Sequence, residues 1–86
     1  MILKKINKIY ELALQINEYV EGNDNITTGP TVFIKFSGHV NMFEIWVYKD
    51  GWSVSEYATY RNWCYLEQQT AEESLDSMIQ YLEGLL

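Results

Sequence analysis

The 86 residues contain one cysteine, one histidine and one proline. The lone Cys64 excludes an intramolecular disulfide and a cysteine-built zinc site. Small secreted domains usually depend on several disulfides, so this count points to a reducing cytoplasm. His39 has no second histidine to complete a metal spacing or a catalytic pair. A nucleophile elbow, a P-loop and a G-x-G-x-x-G turn are missing, and the five glycines stand singly. No stretch approaches the roughly 20 apolar residues of a membrane span. The opening Met-Ile-Leu-Lys-Lys-Ile-Asn-Lys lacks the apolar run and cleavage site of a signal peptide. Positive charge is scarce too: Lys plus Arg number 6 against 12 Asp plus Glu, a net charge of −6. Direct binding to nucleic acid needs Lys and Arg to neutralise phosphate, so it is not expected.

Apolar residues make up 48% of the chain and aromatics 15%, which is enough for a folded core rather than a disordered tail. The length suits one domain, residues 1–86. Ile2, Ile6, Ile9, Ala13, Ile16 and Val20 recur every three or four positions and predict an amphipathic helix. Leu3, Tyr10, Leu12 and Tyr19 widen its stripe, and Gly22-Asn23-Asp24-Asn25 stops it. From Thr31 the period becomes two. Val32, Ile34 and Phe36 form one strand face; Phe43, Ile45 and Val47 form the next. A two-residue turn at Gly38-His39 would set Ile34 opposite Phe43 and Val32 opposite Ile45. Asp50-Gly51 signals a second hairpin, with Trp52–Thr59 as the third strand. Either Val47 or Trp46 then faces Val54, depending on loop length, and one residue of slip exchanges the two faces. A fourth short strand is an option around Asn62–Glu67.

Thr70-Ala71-Glu72-Glu73 has the form of a capping box, and Leu75, Met78, Ile79, Leu82, Leu85 and Leu86 follow at helical spacing. The expected fold is α+β: an N-terminal helix, a three- to four-stranded antiparallel meander and a C-terminal helix. The segment Thr70–Leu75 resembles the T-x-E-E-A-L helix start of HicB-type antitoxins and of many other small α+β proteins. The glycine- and proline-containing segment expected before it is missing, so no family is assigned. Short, acidic and compact, the chain is also similar in composition to phage-encoded inhibitors of host defence, anti-CRISPR proteins included.

No catalytic residue, metal ligand or cofactor is assigned. Glu44 and Glu56 are candidates for a carboxylate pair across the hairpin, but paired strand acids are more often solvated. Cys64 between Trp63 and Tyr65 reads as a small core residue. The aromatics carry more information, because 8 of the 13 fall between Met42 and Leu66, including all three Trp. If both helices pack on one sheet face, the other presents rings of the kind enriched at binding hot spots. With one helix on each face, the rings are core. Charge is segregated as well: Lys4, Lys5 and Lys8 make residues 1–10 +3, which leaves −6 − 3 = −9 for the rest. An acidic surface of that kind steers a protein toward a basic partner.

These features predict a non-enzymatic protein-binding module that engages another protein, such as a basic nucleic-acid-binding protein that it inhibits. The candidate contact residues are Glu44, Trp46, Tyr48, Trp52, Glu56, Glu72, Glu73 and Asp76. The alternative is a homodimer whose aromatic sheet face is buried against itself. Neither a membrane nor nucleic acid is an expected direct partner.

Overall fold

The isoleucine stripe forms helix α1, Ile2–Ile16, in a computed structural model that describes residues 1–19 and 29–86. Ile9, Leu12, Ala13 and Ile16 are buried, whereas Leu3, Tyr10 and Tyr19 remain exposed. The helix ends before the expected Val20. Glu18 takes a left-handed conformation (φ 57°), and the Tyr19 and Glu18 N–H groups bond back to the Leu14 and Gln15 carbonyls at 3.0 and 3.1 Å. This is a Schellman closure with glutamate where glycine is usual. Val20 and the expected Gly22–Asn25 stop lie outside the described residues.

Three antiparallel strands follow: β1 Thr31–Ser37, β2 Met42–Tyr48 and β3 Tyr60–Tyr65, in the order β1-β2-β3. The first turn is longer than a two-residue loop and spans residues 38–41, with Asn41 left-handed at φ 54°. Phe36 therefore pairs with Phe43, Ile34 with Ile45 and Val32 with Val47. The shift from the expected pairing is two residues, so each side chain keeps its predicted face.

The second hairpin departs further from expectation. Asp50-Gly51 does turn the chain, with Gly51 N–H on the Tyr48 carbonyl at 3.1 Å and Gly51 at φ 97°. Trp52–Thr59, however, is an irregular loop, and the third strand is Tyr60–Tyr65. Neither expected partner of Val54 forms; Val47 pairs with Tyr60, Ile45 with Asn62 and Phe43 with Cys64. The reason lies in the core face. A strand at 52–59 would set Glu56 or two serines against Ile45 and Val47, at a desolvation cost. In the observed register Tyr60 faces Val47 and Cys64 faces Phe43, and the polar residue opposite Ile45, Asn62, is uncharged and donates its amide to the Tyr60 hydroxyl at 3.0 Å. No separate fourth strand forms among the described residues.

Helix α2, Ala71–Glu83, packs against α1 and β3. Leu75, Met78 and Leu82 are fully buried, and Tyr81 stacks on Tyr60 with ring centroids 3.9 Å apart. Thr70 occupies the N-cap as expected, but its side chain makes no cap hydrogen bond, so the capping box does not form. Both helices cover the sheet face that carries Val32, Ile34, Phe43, Ile45, Val47 and Cys64, giving a two-layer α+β arrangement with a shared core between helices and sheet. The opposite sheet face has no layer over it among the described residues.

Candidate interaction face

The period-two pattern that turns the aliphatic residues inward necessarily turns the intervening ones outward. β1 contributes Phe33 and Lys35 to the outer face; β2 contributes Met42, Glu44, Trp46 and Tyr48; β3 contributes Arg61, Trp63 and Tyr65. Cross-strand pairing sets Phe33 beside Trp46, Trp46 beside Arg61, and Glu44 between Lys35 and Trp63. Phe33, Trp46, Trp63 and Tyr65 are exposed, with Trp63 retaining 49% of its surface. Trp52, from the loop after β2, leans over this face with its ring 6.3 Å from Phe33 and is 53% exposed. Tyr48 lies beneath, edge-on to Phe33 at 5.6 Å and buried. Phe33, Ile34, Lys35, Trp46, Tyr48 and Trp52 enclose an open, largely apolar groove of about 330 Å³.

At the centre of this face lies Glu44, only 2% exposed. Its cover is a single layer of side chains, not depth within the fold. The Arg61 Nε–H donates to the Glu44 carboxylate at 2.6 Å. The guanidinium sits 5.0 Å from the Trp46 ring centre and 5.1 Å from that of Trp63, so the two indoles flank it. Burial pushes the Glu44 pKa up, yet the Arg61 hydrogen bond, the neighbouring Trp46 side chain and the positive charges of Arg61 and Lys35 outweigh it. The carboxyl is held below its ordinary 4.5 and is ionised at neutral pH. Lys35 has no ion-pair partner within 4 Å among the described residues.

The expected contact residues divide between two sides of the molecule. Glu44, Trp46 and Tyr48 lie on the outer face, and Trp52 leans over it. Glu56 is exposed in the loop between β2 and β3, so it does not face Glu44 across a hairpin as expected. The carboxylate pair therefore does not form; Glu44 is matched by Arg61. Glu72, Glu73 and Asp76 stand on α2, in the layer behind the sheet. Two of these acids are already engaged: Glu72 with the Met1 amino group at 2.8 Å, and Asp76 with Lys5 at 2.8 Å. The Glu72 carboxyl is held low by the hydrogen bond from the terminal amine, and the Lys5 ammonium is held high by Asp76.

Phe33, Arg61, Trp63 and Tyr65 belong to the face but are absent from the expected set. The alternation Tyr-Arg-Asn-Trp-Cys-Tyr was the available signal, because a strand there puts Arg, Trp and Tyr on one side. Cys64 is buried and its thiol is pushed up by desolvation, as a core residue's should be. His39 is exposed in the first turn. No cluster of three or more His, Cys, Asp or Glu among the described residues is placed to hold a metal ion. No described helix is long and apolar enough to cross a membrane. Comparison with protein-family models, curated proteins and solved structures finds no match.

Proposed function

We propose that this chain is a non-enzymatic protein-binding module whose docking surface is the aromatic outer face of its sheet. The observation that carries this reading is the one-sided layering. Both helices cover the aliphatic face, which leaves Phe33, Trp46, Trp52, Trp63 and Tyr65 exposed together. Contiguous exposed aromatic surface is unusual on a soluble monomer and is characteristic of interaction sites. The rings bury large area on contact at little entropic cost. The lone buried thiol suits a reducing cytoplasm as the working compartment.

A version that docks through acidic side chains onto a basic nucleic-acid-binding protein draws less support. Glu44 is matched within the chain by Arg61, and Glu72 and Asp76 by the terminal amine and Lys5. The two versions separate in parallel affinity capture with wild type, a Trp46→Thr/Trp63→Thr variant and a Glu72→Gln/Glu73→Gln/Asp76→Asn variant. Loss of the bound protein with the first variant and retention with the second is expected. The reverse pattern would overturn the aromatic-face reading.

A further inference from the structure

β2 lies between its neighbours, so β1 and β3 are the edges of the sheet. On the β1 edge, Asn17 already occupies the Val32 backbone. That contact also fixes the phase of the ladder. Val32 turns away from β2, so in the antiparallel alternation Asn62 and Cys64 face β2 while Arg61, Trp63 and Tyr65 turn outward. The Leu66 N–H on the Asn41 carbonyl at 2.9 Å continues the same alternation. Of the outward backbone groups, the Tyr65 carbonyl accepts from the Gln68 N–H at 3.0 Å. The others, the N–H and C=O of Arg61 and Trp63 and the N–H of Tyr65, have no hydrogen-bond partner among the described residues. Neither lysine nor proline guards this edge, and its one charge, Arg61, is tied to Glu44. Backbone groups left open in this row are matched by another strand.

Helix α2, which packs against β3, decides what can lie alongside. Glu72 and Asp76 are drawn toward α1 by the Met1 amine and Lys5, and Glu83 continues their row. Glu73 lies opposite the buried row. Tyr81 stacks on Tyr60 of β3, and Ser77 and Ser74 share its row at helical spacing. The flank of α2 toward the open edge is therefore uncharged. A basic segment finds no carboxylate there, whereas a second α2 can lie beside it without opposing acids. We propose that the occupant of the β3 edge is β3 of a second copy, paired antiparallel about a twofold axis through Trp63. Trp63 then faces the partner's Trp63, and Arg61 faces the partner's Tyr65. Every outward residue meets another outward residue, as hydrogen-bonded antiparallel pairing requires. No charge meets its own kind, because Arg61 is set against a tyrosine ring and Lys35 lies on β1 at the far edge. The contact is isologous, and it makes one continuous sheet, β1-β2-β3 followed by the partner's β3-β2-β1. It does not depend on the aromatic face being a docking site, and it sets the two aromatic faces side by side.

Light scattering on the eluting wild-type protein at micromolar concentration should give twice the 10.1 kDa chain mass. Each chain carries −6, so added salt should hold or tighten the pair. Native-state hydrogen exchange on the same sample identifies the surface. The Arg61, Trp63 and Tyr65 amides should exchange as slowly as those of Asn62 and Cys64, and should speed up as the sample is diluted through dissociation. This measurement needs no variant. Trp63→Cys should form an interchain disulfide under mild oxidation, since directly opposed hydrogen-bonded positions lie about 5.5 Å apart at Cα. The buried wild-type Cys64, set against the partner's Asn62, should not. Trp63→Lys, which opposes two ammonium groups at the axis, should halve the mass and leave the far-ultraviolet circular dichroism unchanged. A monomeric wild type would overturn the proposal. So would a dimer whose Arg61, Trp63 and Tyr65 amides exchange fast, a dimeric Trp63→Cys protein that stays unlinked, a folded Trp63→Lys variant that stays dimeric, or a dimer that salt dissociates.

Discussion

Glu44 is a carboxylate under a thin lid of side chains, and Arg61 is the hydrogen-bond donor that offsets its burial. Arg61 is 53% exposed, so solvent screens the pair and its worth falls short of a fully buried bridge. Arg61→Met keeps much of the stem that lies along the indoles but removes the donor. The change should cost about 1–2 kcal/mol in urea denaturation, because it leaves an ionised group covered and under-solvated. The same variant should raise the Glu44 pKa above its ordinary 4.5, since burial would then act with less opposition; carboxyl-carbon NMR titration reads this. The sign of the pH dependence follows from the lowered native value. The stabilisation from Glu44 is fully present above its unfolded pKa and is lost as pH falls through the lower folded pKa. Acid titration of Glu44→Gln should therefore show a flatter fall in stability below about pH 4.5 than wild type.

Among the elements, the Asn17 amide ties the end of α1 to β1. The Asn17 side chain donates from Nδ2 to the Val32 carbonyl at 3.1 Å and accepts from the Val32 N–H at 2.8 Å through Oδ1. It thus occupies both backbone groups that Val32 turns away from β2, as a neighbouring strand would, and closes part of an open sheet edge. Asn17→Ala should cost about 1–2 kcal/mol, and Asn17→Asp should not rescue it, because a carboxylate cannot donate to the Val32 carbonyl. Helix α2 makes a contrasting case. Its Thr70 cap makes no side-chain hydrogen bond, so Thr70→Ala should cost less than the ~1 kcal/mol typical of a working N-cap. Both helices were legible from three-and-four spacing, and both inner strand faces from alternation. The capping box failed because its spacing records only which residues are near, and the observed Thr70 φ and ψ of −83° and 0° are not those of an N-cap in the β region.

For the molecule as a whole, the two sheet faces should respond differently to truncation. Ile45→Ala on the covered face should cost about 2–5 kcal/mol, since Ile45 is fully buried. Trp52→Ala over the outer face, where the ring is 53% exposed, should change the stability of the isolated chain by no more than about 1 kcal/mol in the same denaturation experiment. Comparable losses at both positions would mean that Trp52 is core after all. The asymmetry also orders the charge. Lys5 and the terminal amine sit against α2 carboxylates, whereas Arg61 is spent within the sheet face on Glu44.

The sequence by itself determined the α+β class, both helices, the first two strands and which of their side chains share a face. Those properties are local, because a 3.6-residue or two-residue period must expose and bury the same positions whatever lies beyond. Tertiary structure alone decided three things: that Tyr60–Tyr65, not Trp52–Thr59, completes the sheet; that both helices choose the same side; and that Arg61 meets Glu44 between two indoles. Each depends on residues far apart in the chain, where the penalty of burying Glu56 or the serines against Ile45 is felt only once β2 has a partner. The single arginine that composition counted as one of six basic residues thereby becomes the group that neutralises the centre of an aromatic face.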